Sequence, residues 1–213
     1  MEATNHIKNP KPVADKLKEL RLNREDLLAA VEAAVAAAAG VTANHANNAA
    51  GTYRYHEGTA MLRDRFVGEN GWVKDSTKNI EAIFNPEIGV KVVFQNVDKA
   101  CCEFHPPQPS TPKKSASKRC IETNNLFDLA DIPLTFDARK QGKVRTYYLM
   151  VSENGEEVNA EISLVTGVTD SGLFDGFAER IFLSHPDWYS LVDQTENSSD
   201  GGDEDFSFEI SRK

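Results

Sequence analysis

The sequence has little of what marks several well-known protein classes. Three cysteines in 213 residues are too few, and odd in number, for a disulfide framework, which suits a reducing compartment. No run of eighteen apolar residues occurs, so no membrane-spanning helix and no membrane partner are expected. Met1 to Pro10 (MEATNHIKNP) lacks the charged-then-apolar layout of a signal peptide, and the expected location is the cytoplasm. There is no Walker or dinucleotide-type glycine loop, no Gly-x-Ser-x-Gly elbow, no Cys-x-x-Cys and no His-Glu-x-x-His. The easily recognised NTPases, dehydrogenases, hydrolases and zinc peptidases are thereby set aside, and no cofactor is expected. Nucleases, whose carboxylates are scattered along a chain, are not.

What is present is an ordinary globular composition, 40% hydrophobic and 27% charged, with an uneven distribution of charge. Residues 113–145 carry 8 Lys+Arg against 4 Asp+Glu, whereas residues 146–213 carry 3 against 15. Such polarity between neighbouring segments points to an electrostatic partner, or to one segment screening the other.

The local patterns read as α+β: an N-terminal helical hairpin packed on an antiparallel sheet of about five strands. Residues 1–22 read as an N-terminal arm, 23–194 as a single α+β domain and 195–213 as an acidic tail. Asn23 is a good N-cap, with Glu25 and Asp26 placed where carboxylates meet the positive end of the helix dipole. Leu27, Leu28, Val31 and Val35 then recur at helical spacing up to Gly40. A second helix is predicted from about Ala49 to Phe66. Ile80 to Phe84 and Gly89 to Gln95 read as a β-hairpin. Lys143 to Ser152 and Glu156 to Val165 read as another, turning on Asn154-Gly155, a pair suited to a type I′ turn. Val158, Ala160, Ile162 and Leu164 alternate with Asn159, Glu161 and Ser163, the pattern of a half-buried strand. A further strand is expected at Phe177 to Leu183. Between the hairpins, the Pro/Lys-rich segment 106–119 reads as a mobile surface loop.

Four groups of residues are candidates for chemistry. Arg54, His56 and Glu57 lie on the second helix. Glu57 or His56 acts as a base or metal ligand in a functional reading, with a strand carboxylate such as Glu161; in a structural one, Arg54 pairs with Glu57 or with the sheet. Cys101, Cys102, His105 and Cys120 offer thiolate and imidazole ligands for zinc, but at a spacing that matches no common knuckle. Lys113, Lys114, Lys118 and Arg119 form a basic cluster that either neutralises phosphates or is simply solvated. The acidic end, including Asp203, Glu204 and Asp205, either docks on a basic surface or solubilises the chain.

Taken in order, Arg54-Tyr55-His56-Glu57-Gly58, Leu62-Arg63, Gly71-Trp72, Asn85-Pro86-Glu87-Ile88-Gly89-Val90, Glu161-Ile162-Ser163-Leu164 and Glu179-Arg180-Ile181 resemble a pattern found in uncharacterised proteins of phages and conjugative plasmids. The resemblance spans about Gly51 to Leu183 and leaves out Cys101-Cys102 and the acidic end. It implies a mobile-element accessory role and carries no catalytic residue with it. The expected function is therefore that of a non-enzymatic accessory protein. It would bind a protein that handles nucleic acid, as a host-defence inhibitor does, or nucleic acid itself through the basic loop. The alternative is a small metal-dependent hydrolase or nuclease.

Overall fold

The computed structural model describes residues 4–124, 144–154 and 157–184. Seven strands and four α-helices occur among them: β1 (Asn5–Ile7), α1 (Pro10–Glu19), α2 (Arg24–Ala39), α3 (Ala49–Phe66), β2 (Val73–Asp75), β3 (Ala82–Asn85), β4 (Val90–Asn96), α4 (Ser115–Asn124), β5 (Arg145–Asn154), β6 (Glu157–Val168) and β7 (Phe174–Phe182). The class is α+β. The sheet has the order β1-β7-β6-β5-β4-β3-β2, so it holds seven strands where about five were expected. It is also mixed rather than antiparallel: β4 pairs with β5 in parallel, and β1 with β7 in parallel.

The parallel β4–β5 pair has a physical cause in the chain between them. Parallel neighbours need a crossover connection, and its described part, residues 97–124, packs on one sheet face and ends in α4. Segment 106–119, expected as a mobile surface loop, is part of this connection. In the structure, Val97 bridges Pro109, and Pro107 and Pro109 are buried. The last residues of the segment belong to α4.

Each face of the sheet is therefore covered. Val92 and Phe94 of β4, Tyr147, Leu149 and Val151 of β5, and Ile162 and Leu164 of β6 pack under α1, α2 and α3, against Val13, Leu17, Leu27, Val31 and Leu62. The intervening side chains Val93, Tyr148, Met150 and Val165 face the other way. They pack with Ile121 of α4, with Ala100 and Cys101, and with Phe174, Phe177 and Phe182 of β7. A strand buried on both faces reads as a continuous apolar run, and Tyr147 to Val151 (YYLMV) is one.

The residues that read as an arm supply the edge strand β1 and, through Val13, Leu17, Leu20 and Leu22, part of the main core. Asn23 caps α2, its Oδ1 accepting the Asp26 N–H at 2.8 Å. α2 and α3 pack along one another. Gly155 of the expected Asn154-Gly155 turn lies outside the described residues; the strands on either side are in register, Asn154 opposite Glu157 and Met150 opposite Glu161.

Helix α3 approaches the sheet closely at Gly58, where an added Cβ would fall 2.3 Å from Cε2 of the buried Phe94 ring. Gly58→Ala gains about 1 kcal/mol of helix propensity but forces an overpacked contact that costs about 1–3 kcal/mol. We expect a net loss of stability, read as a lowered denaturant midpoint. A gain would show that α3 can lift from the sheet without loss.

Candidate functional site

The most heavily built polar site lies on the α4 side of the sheet. Glu161 on β6 and Arg180 on β7 are diagonal neighbours in the antiparallel pair, Glu161 opposite Phe182 and Arg180 opposite Ser163, and are 0% and 1% exposed. Arg180 Nε donates to Glu161 Oε1 at 2.8 Å and Nη2 donates to Oε2 at 2.6 Å, a two-pronged pair. Its guanidinium also lies over the rings of Phe177 and Phe182, at 5.6 and 5.2 Å from their centroids. The remaining valences reach the crossover segment. Glu161 Oε2 accepts the Cys101 N–H at 2.6 Å, and Arg180 Nη1 donates to the Cys102 carbonyl at 2.9 Å. Ser163 Oγ donates to Glu161 Oε1 at 2.8 Å. Thus a buried ion pair, which is costly to desolvate, is spent on gripping the backbone of two consecutive residues, Cys101 and Cys102, of the 97–109 segment.

Cys101 adopts φ 56° at this point, a backbone region unfavourable for residues other than glycine. Its thiol donates to the Ala160 carbonyl at 3.0 Å. Burial, and then the charge of Glu161, push the thiol's pKa up, so it is a poor nucleophile. His6 of β1 stacks near Phe182 with ring centroids 5.8 Å apart, and burial together with Arg180 lowers its pKa.

Above this anchor the chain forms a closed loop. Asp98 N–H donates to the Gln108 carbonyl and Ser110 N–H to the Asn96 carbonyl, both at 3.0 Å. Asp98 Oδ1 accepts the Lys99 and Gln108 N–H groups at 2.7 Å each, and Asp98 Oδ2 meets His105 Nε2 at 2.8 Å. Burial alone would raise the pKa of Asp98, but the bonds from Gln108, His105 and Lys99 outweigh it and the net direction is down. The Gln108 amide bonds both backbone groups of Phe174 on β7, at 3.1 Å. Lys8 reaches Glu103 at 2.6 Å. At the tip, between Glu103 and His105, Phe104 is 98% exposed.

The residues singled out by sequence are distributed as follows. His56 and Glu57 are exposed on α3, on the opposite side of the sheet from Glu161, whose two oxygens are both engaged by Arg180. The three do not form one site. Arg54 bonds Glu153 of β5 rather than Glu57. Cys101 is buried, Cys102 and Cys120 are half-buried, and His105 is engaged by Asp98. Among the described residues no three His, Cys, Asp or Glu side chains gather to hold a metal. The basic cluster is dispersed. Lys113 is held by the Gln95 amide oxygen beneath the surface, Lys118 donates to the Asp170 carbonyl at 2.8 Å, and only Lys114 and Arg119 are exposed. Asp203, Glu204 and Asp205 lie outside the described residues. The sequence names Arg180 only within the resemblance, not as the partner of Glu161, and does not single out Phe104. A lone aromatic between Glu103 and His105 in a proline-bounded polar stretch was the available signal for Phe104.

Lys113 yields a pH-dependent prediction. Burial lowers its pKa to about 8 from 10.5, so between those values the unfolded chain binds more protons than the folded one, and stability rises with pH. Below pH 8 both states are protonated and the penalty is full, about 3 kcal/mol at most. The stability of the native chain relative to Lys113→Met should therefore increase from pH 8 to pH 10 in denaturant titrations. A flat difference would contradict the burial of that amine.

No protein family matches the chain, and no curated protein or solved structure is significantly similar to it.

Proposed function

We propose that this protein acts by binding another protein, as a non-enzymatic accessory factor of a mobile element, and that Phe104 is its anchor. The observation that carries the reading is an aromatic ring 98% exposed on a loop fastened at its neck, at its base and on both sides of the ring. The neck is closed by backbone pairs, Gln108 is fastened to β7, Glu103 and His105 are tied to Lys8 and Asp98, and the base is gripped by a buried ion pair. Leaving a phenylalanine in water forgoes about 1.5–3 kcal/mol of burial. A rigid aromatic that loses little entropy on docking is the kind of group that dominates binding at interface centres. The polarity of charge along the chain supports a partner that handles nucleic acid, since such proteins offer both basic and acidic surfaces.

The experiment is capture from host lysate with the native chain, Phe104→Ala and Lys114→Ala/Arg119→Ala, with and without nuclease. The reading expects a nuclease-resistant protein partner that is lost with Phe104→Ala, by at least about thirtyfold in affinity for a loss of ~2 kcal/mol, and kept by the basic double variant. Capture that is abolished by nuclease and by the basic double variant, but not by Phe104→Ala, would favour direct nucleic-acid binding instead.

A further inference from the structure

A cleft of about 320 Å³ lies at the end of α1, lined by Lys18, Arg21, Leu22, Asn23 and Asn70. Its walls are pinned. α1 ends in a Schellman turn, the Leu22 N–H bonding the Leu17 carbonyl at 2.9 Å and the Arg21 N–H that of Lys18 at 3.0 Å. Arg21 takes the left-handed position of that turn, φ 55°, where glycine is usual. The Trp72 indole donates to the Arg21 carbonyl at 2.9 Å. Arg21 Nη1 donates to Glu87 and, at 3.2 Å, to the Asn70 carbonyl, which Asn85 Nδ2 also holds at 2.9 Å. Asn23 is committed to Asp26. Lys16 meets Glu19 and Glu179 at 3.2 Å each, but the exposed Lys18 has no partner for its amine among the described residues. Residues 16–24 carry four cations and one carboxylate. The corner is therefore electropositive, although Glu87 faces Arg21 and Glu25 and Asp26 follow on α2.

We propose that this cleft binds carboxylate-rich peptide and that its occupant is the chain's own acidic segment, residues 196–209. Two observations select that occupant. The first is charge: the segment holds six carboxylates and no Lys or Arg, with Phe206 and Phe208 among them, which suits a cleft of two cations over the apolar side chain of Leu22. The second is reach. The chain leaves β7 beside the cleft, since Arg24 Nε donates to the Leu183 carbonyl at 2.8 Å and Arg24 follows Asn23 of the cleft wall. Glu196 is twelve residues beyond Ser184, enough chain to span about 40 Å when extended. A ligand on so short a tether has an effective concentration of order 1 mM, so exposed ion pairs, weak one by one, suffice together to hold it. An outside polyanion must displace the segment to reach these cations. The cleft shares no residue with the Phe104 loop, and neither inference rests on the other.

The test is zero-length carbodiimide coupling of the dilute full chain at low ionic strength, which joins an amine only to a carboxylate in contact with it, with the linked residues assigned by fragmentation mass spectrometry. Lys18 should be joined to carboxylates of 196–209 within one molecule at least about tenfold more often than Lys114, an equally exposed lysine on the other side of the sheet. The preference should vanish in about 1 M salt, where charges are screened beyond roughly 3 Å. A second readout needs no coupling. Chymotrypsin should cut after Phe206 and Phe208 at least about threefold faster in Lys18→Glu, an exchange of an exposed side chain, because cleavage follows the population of the undocked segment. Equal coupling of Lys18 and Lys114, links that form only between molecules, or cleavage unchanged by Lys18→Glu would each overturn the proposal.

Discussion

Replacing Glu161 with alanine should cost about 3–5 kcal/mol, the loss expected when one partner of a buried ion pair is removed and the other charge stays behind. The guanidinium of Arg180 loses both its carboxylate bonds, while the Cys101 N–H and the Ser163 hydroxyl lose their acceptor in an interior that water does not reach. Domains of this kind are stable by about 5–15 kcal/mol, so Glu161→Ala should melt far below the native chain or fail to fold. The paired replacement Glu161→Leu/Arg180→Met behaves differently. It removes both charges into a cluster already lined by Phe177 and Phe182, and buried pairs exchanged for apolar groups are often neutral or better. Denaturant titration should show a large loss for the single change and recovery of most of it in the double. Equal losses would mean that the two residues do not act as a pair.

Removal of residues 1–22 should abolish cooperative unfolding. Val13, Leu17, Leu20 and Leu22 are buried in the main core, and at about 1.5–3 kcal/mol each their loss amounts to roughly 6–12 kcal/mol, comparable with the whole stability of the fold. The deletion also strips β1 from β7 and removes Lys16, which meets Glu179 at 3.2 Å. That carboxylate also accepts from the buried Tyr147 hydroxyl. Circular dichroism of the shortened chain during heating is the check. A sharp melting transition would restore the view of this segment as an arm.

Local signals in the sequence were readable where the energetics are local. Asn23 as an N-cap, the β3–β4 turn at Asn85 and the register of β5 against β6 follow from side chains acting on their own backbone neighbours. The two parallel pairings were not readable, because they depend on where long connections travel. β1 has only Ile7 as an apolar residue, and α4 is a short, polar helix that buries Ile121 and Asn124. The same cause hid the ion pair. Glu161 and Ser163 alternate with Ala160, Ile162 and Leu164, and alternation places polar side chains on a solvent face unless something covers it. The crossover segment covers it, and nothing in the local pattern announces that. Phe104 was overlooked because an exposed aromatic departs from burial rules only once its exposure is known.

The central claim is that the buried Glu161–Arg180 pair holds the 97–109 loop as one rigid unit that displays Phe104. Native-state hydrogen exchange of the Asp98 and Ser110 amides tests it most directly, comparing the native chain with Glu161→Leu/Arg180→Met. Those two amides close the neck of the loop, bonding Gln108 and Asn96, and neither touches the ion pair. If the pair holds the whole loop, both amides should exchange at least about tenfold faster in the double variant while the amides of β5 keep their protection, the mark of a local opening of ~1.4 kcal/mol. Unchanged exchange at Asp98 and Ser110, with faster exchange confined to Cys101, would show that the pair merely satisfies its own neighbours and would contradict the claim.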